Sequence, residues 1–246
     1  FAARGEDFPN LPDLFSERGF EISSATLRKM IGKVAHSVAV QDNRVMLTGA
    51  YFKVSPGEME VVSCDSYTLS KCNIKCDVTS INENTGNEFS FIIPGHALSE
   101  LMKILPDEED YKCTFYLSRK HAIIKCDSLT FFTRIIDSEY IDYNRVIPKE
   151  NDIFIVVNKD RILSALERAN IIAEEKIQGS GRSYVKITAE RKYLTITSTS
   201  VNGKVYDEME CIHEGGDIEI GFNCRYLINS IKVAEGENIK LTMKTP

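Results

Sequence analysis

The stretch from Phe20 to Ala35, FEISSATLRKMIGKVA, opens with the alternation Phe20, Glu21, Ile22 and then changes to helical spacing through Leu27, Ile31 and Val34. Period two marks a strand with one covered face, and a spacing of three and four marks a helix with one apolar stripe. Ser23 and Ser24 stand at the change, where hydroxyls end strands and cap helix starts. The same reading applies to FIIPGHALSELMKIL from Phe91, IVVNKDRILSALERAN from Ile155 and IGFNCRYLINSIKVAE from Ile220, with starts 71, 64 and 65 residues apart. The apolar triads fall in register: Leu98, Met102 and Leu105; Ile162, Leu166 and Ala169; Leu227, Ile231 and Ala234. An internal repeat of strand, polar turn and helix organises the chain.

Strand-like runs lie between the helices, at Val45 to Val54, Met59 to Ser63, Tyr111 to Leu117, Ala122 to Cys126, Leu129 to Ile136, Tyr184 to Ala189 and Tyr193 to Ser198. The fold class is α+β, each repeat being one helix with several antiparallel strands. One helix on a small sheet covers too little surface to stand alone, so two repeats should make one domain. The expected domains are residues 16–148 and 149–246, joined through the polar run Pro148-Lys149-Glu150-Asn151-Asp152. A further strand-like run, Ile239 to Met243, has nothing after it to complete a sheet, and the chain does not begin with Met. Both features suggest a fragment whose second domain is C-terminally incomplete.

At 246 residues and 43% hydrophobic content the chain can build packed cores. No run approaches the ~20 apolar residues that span a bilayer, and the start has no apolar signal core, so a cytoplasmic protein without membrane contact is expected. Seven cysteines without a C-x-x-C pair suggest reduced, buried thiols and no metal; Cys72 and Cys76, four apart, lack a second pair or a nearby histidine. His36, His96, His121 and His213 are scattered, and no nucleophile elbow, H-E-x-x-H or phosphate loop is present. Gly179-Ser180-Gly181 lacks the phosphate-loop spacing and lysine. An enzyme is therefore not expected, and no cofactor is implied.

The net charge of −6 argues superficially against nucleic acid. Its distribution argues otherwise. Segments 25–38, 96–105, 159–173 and 224–233 hold nine Lys or Arg against three Asp or Glu, a balance of +6 that leaves −12 for the rest of the chain. A phosphate backbone responds to the surface that faces it, and long basic stems hold it without reading bases. Helix projection sets Lys29, Gly32, Lys33 and His36 opposite the apolar stripe of the first helix. The DNA-facing candidates are Arg28, Lys29, Lys33 and Lys103, with Arg161, Arg168, Arg225 and Lys232 on the later helices.

Several stretches together carry a family resemblance: Glu6-Asp7-Phe8-Pro9-Asn10-Leu11-Pro12, Gln41-Asp42-Asn43-Arg44, Ile93-Pro94 with Leu98-Ser99-Glu100-Leu101-Met102, Asp142-Tyr143-Asn144-Arg145-Val146-Ile147-Pro148, and Glu219-Ile220-Gly221-Phe222-Asn223. In order and spacing they resemble the bacterial DNA sliding clamps, the beta subunits of DNA polymerase III, from the end of the first clamp domain (residues 1–15 here) through the second and into the third. The resemblance implies a DNA-clamp fold with helices on the inner face and sheets outside. It implies a processivity factor that encircles double-stranded DNA as a homodimer in the complete protein. The implied partners are the polymerase III alpha subunit, the clamp loader and other clamp-binding-motif proteins.

The resemblance also implies a partner-peptide pocket at Leu47, Cys64, Ser66, Tyr67, Thr68, Leu69, Ile141, Arg145 and Val146, and a DNA-touching loop at Gln41. The usual Thr-Asp-Gly-His-Arg-Leu stretch reads Cys64-Asp65-Ser66-Tyr67-Thr68-Leu69 here, and Ile141 replaces a frequent proline. An apolar floor from Leu47, Leu69 and Val146 is retained, while the polar rim differs. Without the resemblance these residues read as ordinary core or edge packing. The competing function is a β-rich protein-interaction module that does not bind DNA.

Overall fold

The computed structural model describes residues 4, 18–75, 79–80, 88–108, 110–173, 184–201 and 203–244. The motif at 6–12, Cys76 and the glycines at 179 and 181 lie outside them. The chain divides into two compact units, Phe1–Tyr140 and Ile141–Pro246. The division falls earlier than the polar run at 148–152. Tyr140 closes the first unit by stacking its ring on Tyr51, with centroids 5.1 Å apart.

The first unit begins with β1 (Arg18–Ser23) and α1 (Ser24–Val34), followed by β2 (Gly49–Ser55), β3 (Glu58–Cys64), β4 (Leu69–Lys75) and β5 (Thr79–Ser80). Then come β6 (Phe89–Pro94), α2 (Gly95–Ile104), β7 (Lys112–Leu117), β8 (His121–Cys126) and β9 (Leu129–Arg134). Two antiparallel sheets form, in the orders β5-β1-β7-β8-β9 and β4-β3-β2-β6. Phe20 of β1 stacks on Phe115 of β7 at 4.5 Å and reaches Phe91 of β6 at 6.3 Å, and Phe91 in turn stacks on Phe52 of β2 at 5.1 Å. This aromatic chain joins the sheets into one core with Leu27, Met30, Ile31 and Val34 of α1 and Ala97, Leu98 and Leu101 of α2.

The second unit runs α3 (Tyr143–Val146), β10 (Ile153–Asn158), α4 (Lys159–Ala173), β11 (Val185–Glu190), β12 (Tyr193–Thr199), β13 (Lys204–Glu210) and β14 (Ile212–Glu214). It closes with β15 (Ile218–Phe222), α5 (Cys224–Val233) and β16 (Asn238–Met243). Its sheets are ordered β14-β10-β16 and β13-β12-β11-β15. The second order repeats β4-β3-β2-β6 strand for strand, and the two sheets end in the strands that lead into α2 and α5. The run at 239–243 therefore has partners: β16 pairs along its whole length with β10.

The helices begin where the sequence places them. Ser23 Oγ accepts from the Thr26 amide at 3.4 Å, Asn158 Oδ1 from Arg161 at 3.1 Å and Asn223 Oδ1 from Arg225 at 3.1 Å. Two details of the apolar register differ. Leu101 and Ile228 are the deeply buried residues, while Met102 and Leu227 are only partly covered. Met102 points instead at α1, its Cε 3.7 Å from where a Cβ on Gly32 would lie.

The expected strand at Val45 is delayed, because Val45–Thr48 forms a 3-10 turn whose Leu47 carbonyl accepts from the Ala39 amide at 3.0 Å. At Gly49 the strand passes so close to β6 that a Cβ would sit 2.6 Å from the Ile93 carbonyl oxygen.

Each helix pair is tied by a base reaching from the first helix to the C-terminal end of the second. Arg28 Nη1 donates to the Met102 and Leu105 carbonyls at 2.5 and 3.0 Å. In the second unit Lys159 Nζ donates to the Lys232 and Ala234 carbonyls at 3.2 and 2.6 Å. The last carbonyls of a helix lack intrahelical partners and carry its negative pole, so a cation there is doubly favoured. Arg28→Ala is expected to lower unfolding stability in urea by about 1.5–3 kcal/mol, the range for a hydrogen bond to a charged group. Lys29→Ala, one residue along on the exposed side, should stay within about 0.5 kcal/mol of the parent.

Candidate nucleic-acid and partner-binding surfaces

On α1, Lys29 is exposed and Lys33 half-exposed, while Leu27, Met30, Ile31 and Val34 face the core. Arg28, expected to face DNA, is spent on the end of α2 and lies 3.9 Å from Asp107. His36 also departs from the projection. α1 stops at Val34, and a 3-10 turn at Ala35–Ser37 swings the imidazole toward β4, where Nε2 lies 3.1 Å from Ser70 Oγ. Burial lowers its pKa, with the Asp65 carboxylate pulling the other way.

Lys103 pairs with Glu100 at 2.7 Å, and Lys232 of α5 with Glu167 of α4 at 2.9 Å. Both pairs are well exposed, worth about 0–1 kcal/mol, and yield readily to a phosphate. Arg168 is held more firmly, its Nε and Nη2 forking onto the Asp207 carboxylate of β13 at 3.0 and 2.7 Å. Projection along an isolated helix finds the uncovered side of α4 but cannot tell that β13 runs beside it. Arg161 and Arg225 are exposed near the starts of α4 and α5. Arg28, Lys103, Lys159, Arg168 and Lys232 thus contact acids or helix-terminal carbonyls.

Gln41 is exposed in the loop before the 3-10 turn at 45–48, beside an open recess of about 600 Å³ lined by Val40, Gln41, Asp42, Asn43 and Thr48. The loop is clasped shut. Asp42 accepts from the Arg44 amide at 2.8 Å and from its Nε and Nη2 at 3.0 and 2.9 Å. Arg44 Nη2 also donates to Ser66 Oγ, which donates to Asp42 Oδ2 at 3.3 Å, so the loop is bonded to the β3–β4 turn. The hydrogen bonds from Arg44 hold the Asp42 carboxyl down at about 2.

That turn carries most of the residues that the resemblance assigns to a partner pocket. Cys64 and Leu69 face each other across the β3–β4 ladder, Cys64 buried and Leu69 half-buried. Asp65 Oδ1 accepts from the amides of Tyr67 and Thr68 at 3.0 and 2.6 Å, an Asx turn. Ser66 has φ of +78°, a conformation easiest for the glycine that the family stretch usually has there. Tyr67 is 81% exposed, but Leu47 is wholly buried, so Leu69 is the accessible apolar residue of this group.

In the second unit, Ile141 is half-buried, Val146 is 59% exposed, and Arg145 pairs with Asp142 at 2.8 Å around α3. The sequence reading missed Asp65, whose spacing before Thr68 is an Asx-turn signal, and Arg44, two residues after Asp42. It also missed Tyr140, whose buried phenol is pushed up in pKa by desolvation. The six cysteines among the described residues are buried thiols outside any disulfide, and those residues hold no metal-ligand cluster. None of their helices is long and apolar enough to cross a membrane.

Two family models match this chain: "DNA polymerase III beta subunit, central domain" over residues 21–142 and "DNA polymerase III beta subunit, C-terminal domain" over residues 144–246. The "Beta sliding clamp" of Bacillus subtilis (strain 168) is 28% identical over 241 residues, covering 96% of this chain and 61% of that protein. The solved DNA polymerase sliding clamp from Bacillus subtilis superposes with a TM-score of 0.89 at 27% identity, covering 99% of this chain and 62% of that one. A putative DNA polymerase III beta subunit from Eubacterium rectale ATCC 33656 gives a TM-score of 0.90 at 24% identity over 99% of this chain and 64% of that chain, a likeness of fold. The chain spans about three fifths of the length of the relatives it matches.

Because the folded pKa of Asp42 lies below its ordinary 3.8, the clasp contributes fully above that value and is lost as pH falls through about 2. Carboxyl NMR is expected to show Asp42 inflecting near 2, and Arg44→Ala should raise the inflection toward the ordinary carboxylate range, the residue-44 amide and the Ser66 hydroxyl retaining part of the depression.

Proposed function

We propose that this chain, which belongs to the DNA polymerase III beta-subunit family, is part of a sliding clamp that encircles duplex DNA without reading its sequence. The observation that carries the proposal is the repeated helix pair. Two units with the same core strand order each supply a pair of longer helices, α1 with α2 and α4 with α5, and Lys29, Arg161 and Arg225 are exposed on them. In this reading the helices form the inner face and the sheets the outer one. Lysine and arginine stems neutralise phosphates while making no base contacts, which lets the ring slide. Lys33, Lys103 and Lys232 add charge, the last two because their exposed carboxylate partners exchange easily for phosphate. Gln41 meets DNA from its clasped loop, whereas Arg28 and Arg168 act in holding the fold together.

The role is non-catalytic, cytoplasmic, and needs no metal or cofactor. In the first unit Ser66, Tyr67, Thr68 and Leu69, together with the buried Cys64 and Leu47, take part in receiving apolar peptide motifs from the polymerase III alpha subunit, the clamp loader and other partners; in the second, Ile141, Arg145 and Val146 do so. Ring closure as a homodimer belongs to the complete protein. In the second unit, Ile171 at the end of α4 is 69% exposed and Tyr206 on the edge strand β13 is 60% exposed, apolar surface suited to a partner subunit.

In the complete protein, salt-dependent retention on nicked circular DNA that disappears on linearisation is expected. Retention by neither form would favour a β-rich interaction module that does not bind DNA. Lys29→Glu with Lys33→Glu should reduce retention and flatten its salt dependence, by roughly one in slope for each phosphate no longer neutralised, while the melting curve stays in place. Leu69→Asp should abolish binding of apolar partner peptides by setting a charge in the pocket. Undiminished affinity of that variant would remove Leu69 from the site.

A further inference from the structure

Beneath the β3–β4 turn lies a continuous chain of polar side chains. His36 Nε2 is 3.1 Å from Ser70 Oγ, Ser70 Oγ is 2.8 Å from Ser37 Oγ, and Ser37 Oγ is 2.9 Å from Thr68 Oγ1. Thr68 Oγ1 is 3.0 Å from Asp65 Oδ1, the same oxygen that holds the amides of Tyr67 and Thr68. Ser37 is wholly buried, and His36 Nδ1 is buried without a hydrogen-bond partner.

Proton counting gives the chain a direction. Each hydroxyl has one hydrogen to donate, and an ionised carboxylate can only accept. If Thr68 donated to Ser37, its lone pairs would face the Asp65 carboxylate at 3.0 Å with no hydrogen between them. Thr68 therefore donates to Asp65, Ser37 to Thr68, and Ser70 to Ser37, so Ser70 is left to accept from His36. The imidazole must carry its hydrogen on Nε2. The opposite direction would bury an unpaired N–H at Nδ1 instead of an unpaired lone pair, and orphaned buried donors are the rarer and costlier case.

We propose that His36 is a positioning residue for the partner-binding rim, fixed as the Nε2–H tautomer and acting through Ser70, Ser37 and Thr68 on the Asp65 turn. The relay holds Ser66, Tyr67 and Thr68 in the conformation that a partner peptide meets, so binding need not order them. The functional half of the proposal rests on the pocket reading given above; the relay itself does not.

The test uses the full chain labelled with ¹⁵N-histidine. His36 is expected to show the nitrogen shifts of an Nε2–H imidazole, and an Nδ1–H pattern would overturn the relay. Ser37→Ala and His36→Phe should each speed amide exchange at Thr68 and Tyr67 by roughly three- to tenfold, the range set by one ordinary hydrogen bond. Exchange along the β3–β4 ladder should not change. His36→Gln, whose side-chain amide can donate to Ser70, should restore the slow exchange; unaltered exchange in Ser37→Ala would also overturn the relay. Affinity for a labelled Ser-Leu-Leu-Phe peptide should fall by a similar factor in His36→Phe and recover in His36→Gln. Failure of the wild type to bind this peptide would overturn the pocket reading and the rim's role in binding, while the tautomer and exchange results would still decide the relay.

Discussion

A helix of about three turns on a small sheet leaves one face of each element wet, and that shortage of coverable surface governs how this chain is built. Each unit answers it by merging two strand-and-helix repeats into a single core. In the first unit the merger runs through the rings of Phe20, Phe115, Phe91 and Phe52, which link β1 and β7 to β6 and β2. In the second unit no such aromatic chain is present among the described core residues. There Ile155, Ile162, Leu166, Ile187, Leu194 and Ile196 supply aliphatic packing instead. With full burial of such a side chain worth about 1.5–3 kcal/mol, either chemistry suffices. What the two units share is strand order, and they reach it with different side chains.

Merging two repeats places two helices side by side, and their ends then need partners. Arg28 and Lys159 meet that need from different positions in their repeats, and both bring a cation to the negative end of the second helix. The surface charge of the helix pairs is smaller than the sequence count for this reason. The helix bases are of three kinds: those closing helix ends, the one locked to β13 through Asp207, and those on open faces. The last kind responds most readily to an external polyanion. A charge tally over a helix therefore overstates its field unless the neighbours of each base are known.

The repeat, the helix starts and most central strands were legible in the sequence, because burial on one face imposes a period and hydroxyl or amide caps mark the switch from strand to helix. β4 and β13 were not. Both are edge strands with one fully buried residue each, Cys72 and Met209, and in β13 the covered face sets Asp207 between Val205 and Met209, so its alternation in exposure is not one in hydropathy. For the candidate site, the resemblance pointed to the β3–β4 turn, and the structure shows what holds that turn. Leu47 illustrates the limit, since an apolar residue in a loop gives no sign of whether it lines a surface or fills a core. His36 illustrates another, because a helix projection extended two residues past the end of α1 reverses the environment it assigns.

Ser66 shows how these levels meet at one position. A φ of +78° is comfortable for glycine and strained for a residue with a Cβ, and strain of this kind persists where surrounding bonds over-determine the backbone. They do so here from both sides. Outside, the Ser66 hydroxyl joins the Asp42 and Arg44 clasp; inside, Asp65 gathers the two following amides and the Thr68 hydroxyl. A glycine would relax the backbone but remove the oxygen through which the Gln41 loop is bonded to the turn. Serine thus exchanges backbone ease for a loop and a turn that are bonded to each other.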